Sequence, residues 1–122
     1  MRFVIHDHIT ENRHFDLMIE TGDDLLLTWR IMPSDLDILL MSNEIQAVRI
    51  QDHEKYFLDY EGSLSTGNGS IVLFDQGNCK ILKRRNNTLN VLLSGQVFIG
   101  SIQLTSIKDN TYNILYFPEY TK

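Results

Sequence analysis

Three of the four histidines, His6, His8 and His14, fall within the first 14 residues, and Asp16 follows two residues after the last of them. In an extended strand, side chains at i and i+2 share a face. The run His14-Phe15-Asp16-Leu17-Met18-Ile19-Glu20 therefore sets His14, Asp16, Met18 and Glu20 on one side. Phe15, Leu17 and Ile19 fall on the other side, which suits a core. An imidazole and a carboxylate roughly 7 Å apart at their Cα atoms are near enough to ligate one cation, and a turn over residues 9–13 can return His8 to the same place. Two neutral imidazoles and a carboxylate with open positions form a catalytic metal set compatible with zinc, manganese or iron. The same spacing also describes a surface His-Asp hydrogen bond with unrelated histidines nearby. Spacing alone leaves both readings open.

The fourth histidine, His53, follows an apolar run and opens a loop. A loop histidine can reach a phosphate oxygen or act as acid or base near neutral pH, or simply face solvent. His14-x-Asp16 with the distant His53 also has the form of a facial triad for non-haem iron. In oxygenase barrels that pair follows several strands, whereas here it lies in the second.

The elements that must position these groups read as short strands separated by turn chemistry. Strands are expected over residues 2–6, 14–20, 25–31, 45–50, 56–60, 70–75, 79–83, 88–93, 97–107 and 111–117. Between them lie Gly- and Asn-containing separators such as residues 21–24, 66–69, 76–78, 86–87, 94–96 and 108–110, which tolerate the positive φ of tight turns. Gly100 is expected at a bend or bulge. Residues 33–42 (PSDLDILLMS) form the best helix candidate, with Ser34 as its N-cap. About ten short strands and one or two short helices predict an all-β barrel or sandwich, and closing a barrel removes exposed edges. Period-2 alternation places Phe15, Leu17, Ile19, Trp29, Val48, Ile50, Val72, Phe74 and Leu104 in the core.

With 122 residues the chain suits a single domain, residues 1–122. A lone cysteine, Cys79, leaves no internal disulfide framework. No apolar run reaches the roughly 20 residues of a membrane span, and MRFVIHDH lacks a signal-peptide core, so a cytoplasmic monomer is expected. The net charge of −5 argues against coating duplex DNA by phosphate neutralisation, but not against gripping a few nucleotides at a strand end. The basic run Lys80, Lys83, Arg84, Arg85 fits a solvated strand end before the Asn86-Asn87 turn, or a backbone contact.

Four segments, in order, resemble the 3′-phosphoesterase module of bacterial DNA ligase D: FVIHDHITENRHFDLMIETGDDLLLTWRI, AVRIQDHEKYFLDYEG, SIVLFDQGNCKIL and LNVLLSGQVFIGSIQLTSI. The resemblance covers about residues 3–107. It implies a small β-barrel with a concave active face and a metal-dependent, usually manganese-dependent, hydrolase that removes 3′-phosphate or terminal ribonucleotides during end repair. His8, His14 and Asp16 fall on its metal-ligand positions, and His53 on the histidine that engages the scissile phosphate. Nucleic-acid 3′ ends are the implied ligand, with a separate ligase or polymerase as partner. Two phosphate-contacting residues of the pattern, an arginine and a tyrosine, are Met18 and Phe57 here. Arg30, in Thr28-Trp29-Arg30, is the candidate replacement donor, and an arginine at position 18 is expected to restore the grip. The departures keep open a catalytically weak or inactive module that binds nucleic-acid ends or protein.

Overall fold

The computed structural model describes residues 1–65 and 67–119; Thr66, at the head of the expected turn 66–69, lies outside the described residues. Nine strands run β1 (Arg2–Ile9), β2 (His14–Ile19), β3 (Leu25–Ile31), β4 (Ile45–Glu54), β5 (Gly62–Ser63), β6 (Ser70–Arg85), β7 (Thr88–Ser94), β8 (Ile99–Lys108) and β9 (Thr111–Pro118). One helix, α1 (Pro33–Leu40), follows β3, and a 3-10 turn (Lys55–Leu58) follows β4. The ladder order is β1-β2-β3-β4-β9-β8-β7-β6-β5, and β1 pairs with β6 to close an eight-stranded antiparallel barrel with β5 appended.

The expected all-β barrel is the observed fold, with four local corrections. Residues 56–60 form a 3-10 turn and its exit, not a strand. The two runs 70–75 and 79–83 are one strand, β6, with no turn at Gln76-Gly77-Asn78. Two different partners hold it extended: its first half pairs with β1 and its second with β7. Gly77 serves the changeover, because a Cβ there would collide with the Ser94 carbonyl. The helix begins with Pro33 at its first position and Met32 as N-cap, so Ser34 lies inside the first turn. Pro33 suits that place because the missing N–H would have had no partner anyway. Gly100 has φ +141°, and a Cβ would meet the Phe117 carbonyl; it permits a close approach of β9 and marks no register shift.

Alternation divides the wall of the barrel cleanly. Phe3, Ile5, Phe15, Leu17, Ile19, Leu27, Trp29, Ile31 and Leu104 belong to the main core, joined by Leu36 and Leu39 of α1. The opposite face of β1–β3 carries a second apolar cluster, Val4, Met18 and Leu26, roofed by Leu58 of the 3-10 turn. Val48 and Val72 are exposed and Ile50 and Phe74 only partly buried, contrary to expectation. In β4 the inward residues are Ile45 and Ala47, which turns Val48 and Ile50 outward. In β6 a register shift opposite Ile5 and His6 breaks the alternation at Phe74, whose ring then packs edge-on against Phe15.

Asp75 is buried, and its carboxylate accepts backbone N–H bonds from Gln76, Gln96, Val97 and Phe98 at 2.7–3.2 Å, fastening the β7–β8 loop to β6. Asp75→Ala orphans these donors and is expected to cost roughly 3 kcal/mol, read as a lower urea midpoint. Burial pushes the Cys79 thiol up to about 11. At pH 8 it stays protonated, so Ellman's reagent should modify it slowly in native protein and rapidly in urea.

Candidate metal centre

The turn between β1 and β2 brings the ligand candidates together. His8 is the cross-strand partner of His14, and His6 of Asp16. Across the same turn the Arg13 guanidinium donates twice to Asp7, at 2.9 and 2.8 Å, and lies over the Phe15 ring. This fork fixes the mouth of the hairpin and with it the separation of the two imidazoles. Ligand atoms of His8, His14 and Asp16 all lie within 4.8 Å of one another. Two donors about 2.1 Å from a shared ion span at most about 4.2 Å, so a side-chain adjustment of about half an ångström suffices.

The second bonds of these histidines define their tautomers. His14 Nδ1 donates to the Asn12 carbonyl at 2.8 Å, and His8 Nε2 donates to the Asn68 carbonyl at 2.7 Å. A carbonyl only accepts, so both protons sit on those outer nitrogens. The inner nitrogens, His8 Nδ1 and His14 Nε2, lie within hydrogen-bond distance of each other at 3.0 Å, and on neutral rings both carry the lone pair a metal needs. Asp16 Oδ2 stands 3.4 Å from His14 Nε2. Imidazole lone pairs oriented through their far N–H groups are the arrangement metal-binding histidines use.

Arg30 pairs with Asp16 across the β2–β3 ladder, its Nε 3.4 Å from Oδ1. It lines an open groove of about 620 Å3 together with His8, His14 and the turn around Asn68. His53 is half-buried and donates Nδ1–H to the Gln51 carbonyl at 2.8 Å, which leaves Nε2 as its free edge. It shares a recess of about 80 Å3 with His6, His8, Asp16, Met18 and Phe57. The five site residues expected from the sequence therefore gather on one face of the barrel wall. His53 lies outside the converging donor set, where His8 stands instead, so the facial triad of His14, Asp16 and His53 is not what the geometry assembles.

His6 was not among the expected site residues. It is 1% exposed and donates Nε2–H to the Phe57 carbonyl at 2.8 Å. Burial lowers its pKa, against the opposing pull of that hydrogen bond, and holds the ring neutral. His6 anchors the 3-10 turn over the site, helped by Arg2 on Asp59 at 2.6 Å and Lys55 on Glu20 at 3.6 Å. Its place on the His8 face and opposite Asp16 was a readable signal, but its carbonyl partner 51 residues away was not. Met18 is 1% exposed among Val4, Leu26 and Leu58. An arginine at position 18 would have to displace part of that packing, while Met18 also lines the recess that holds His53. A separate cavity of about 110 Å3, bordered by Trp29, Arg49 and Arg84, holds none of the converging donors.

Among the described residues no helix is long and apolar enough to cross a membrane. The family model for the DNA ligase D 3′-phosphoesterase domain matches residues 6–106. The multifunctional non-homologous end joining protein LigD of Mycolicibacterium smegmatis is 31% identical over 87 residues, covering 69% of this chain and 11% of that protein. The chain thus corresponds to a small part of that relative's length. A match running from His6 past His8, His14, Asp16 and His53 into β8 places this chain in the DNA ligase D 3′-phosphoesterase domain family.

Proposed function

We propose that this protein is a metal-dependent phosphoesterase acting on nucleic-acid 3′ ends, removing a terminal phosphate or ribonucleotide. The observation that carries the reading is the convergence of His8 Nδ1 and His14 Nε2, 3.0 Å apart, beside the Asp16 carboxylate. Two imidazole nitrogens and a carboxylate converging with open positions form a donor set that suits a divalent cation. Manganese is the expected ion, and zinc or another transition metal suits the same donors. A divalent ion held there supplies Lewis-acid polarisation of a phosphoryl oxygen.

The side chains supply the rest. Arg30 offers a guanidinium to phosphate oxygens from the groove beside His8 and His14, taking over a task that Met18 cannot perform. His53 presents Nε2 to the phosphate or to the leaving oxygen, and in its protonated form can give up a proton there. A cleaned 3′ end is what a ligase or polymerase needs, so such an enzyme is the proposed partner. A second reading, a binding module without turnover, draws support from Met18 and Phe57, which are apolar where the family pattern has phosphate donors.

The deciding assay uses a labelled primer-template carrying a 3′-phosphate or a 3′-terminal ribonucleotide, with and without Mn²⁺. Metal-dependent product is expected; strand-end binding without product would favour the binding module. His14→Ala should abolish most Mn²⁺ binding in titration calorimetry while circular dichroism stays unchanged; equal affinity would sink the ligand assignment. Arg30→Ala should lower kcat/KM by roughly 10²-fold. His53→Ala should lower turnover by roughly 10²-fold or more while Mn²⁺ affinity holds.

A further inference from the structure

Next to the recess that holds His53 lies a second one of about 310 Å3, lined by Gln51, Asp52, His53, Glu54, Tyr56 and Phe57. His53 and Phe57 border both, so a ligand reaching from the His8–Asp16 cluster past His53 enters it. Tyr56 forms part of its wall and is 57% exposed. Its ring stacks on Phe57, with centroids 4.2 Å apart and planes 29° from parallel. Tyr60 meets both rings edge-on, and the Tyr60 hydroxyl donates to the Ser63 carbonyl. Phe57 is held in turn, because its carbonyl takes the His6 proton and its ring meets His53 at 5.4 Å.

We infer that Tyr56 is a stacking platform for the nucleobase of the strand's terminal nucleoside, set beside the reacting phosphate. This inference rests on the reading of the site as one for nucleic-acid ends. A half-exposed aromatic ring fixed from behind offers an open π-face at little cost in lost motion. The charges separate the two ends of the ligand. Asp52 and Glu54 make the Tyr56 recess hostile to phosphate, whereas the groove on the far side carries Arg30. Asp52 is itself held by Arg49 at 3.1 Å, which fixes the rim. A neutral, flat, polar-edged group is what this recess accepts. Phe57 also gains a reason for its type: as an apolar ring without a hydroxyl, it supports Tyr56 from behind.

The test compares two 5′-labelled primer-templates that differ only in the terminal nucleotide, one bearing a base and one abasic, both ending in 3′-phosphate. Fluorescence anisotropy without divalent metal reads binding. Wild type should hold the base-bearing end roughly tenfold or more tighter, Tyr56→Phe should keep that preference, and Tyr56→Ala should lose it. Mn²⁺ affinity should be the same in all three proteins. Equal binding of both ends by wild type, a preference that survives Tyr56→Ala, or no binding of either end overturns the inference. With Mn²⁺ added, the two proposals part company. Hydrolysis with equal kcat/KM on both ends removes the platform and leaves the phosphoesterase. A base preference without any hydrolysis keeps the platform and removes the phosphoesterase.

Discussion

The ladder between β1 and β6 is the contact on which the rest of the molecule depends. It turns an open sheet into a barrel, and a barrel gives each strand an inside and an outside. On β1 and β2 the inside takes Phe3, Ile5, Phe15 and Leu17. The outside is then free to carry His6, His8, His14 and Asp16. The same ladder sets Ile9 against Ser70, and this brings the Asn68 carbonyl within reach of His8. Closure therefore both stabilises the fold and orients one imidazole.

Backbone carbonyls do much of the positioning at the site. The carbonyls of Asn12, Asn68, Phe57 and Gln51 each accept a hydrogen bond from a histidine N–H, and each bond fixes which nitrogen points outward. Four histidines thus receive different tasks from similar bonds. His8 and His14 aim bare nitrogens at one point, His53 keeps a free edge toward the neighbouring recess, and His6 is neutral and acts as a fastener. Because Asn12, Asn68 and Phe57 lie in turns and loops, the site depends on those segments being held. The Arg13–Asp7 fork and the ties from Arg2, His6 and Lys55 supply that restraint.

The roof accounts for the apolar residues at positions 18 and 57. Met18 packs beneath Leu58, and Phe57 packs behind Tyr56. Both residues belong to the contact between the 3-10 turn and the barrel wall. Arg30 enters the site from the next strand, where its partner across the ladder is Asp16 itself.

The period-2 pattern of residues 14–19 by itself determined which side chains fill the barrel and which face the chemistry, because neighbouring side chains in a strand must point to opposite faces. The sequence also supplied the candidate set: the family segments carry His8, His14, Asp16 and His53 in register, and Arg30 entered as a replacement donor outside that pattern. It misplaced Val48 and Val72. Which parity of β4 faces inward depends on its neighbours, and the alternation of β6 is interrupted by a register shift that no local composition encodes. It read residues 70–83 as two strands for a related reason, since Gln76-Gly77-Asn78 has turn chemistry and only pairing with both β1 and β7 keeps it extended. The buried task of His6, the tautomer of His8 and the apolar surroundings of Met18 were decided by tertiary structure alone. The His6, His8 and Met18 contacts depend on groups brought close by barrel closure or by the roof, some 40 to 60 positions away, and leave no trace in local spacing, whereas His14 takes its acceptor from Asn12 in the adjoining turn.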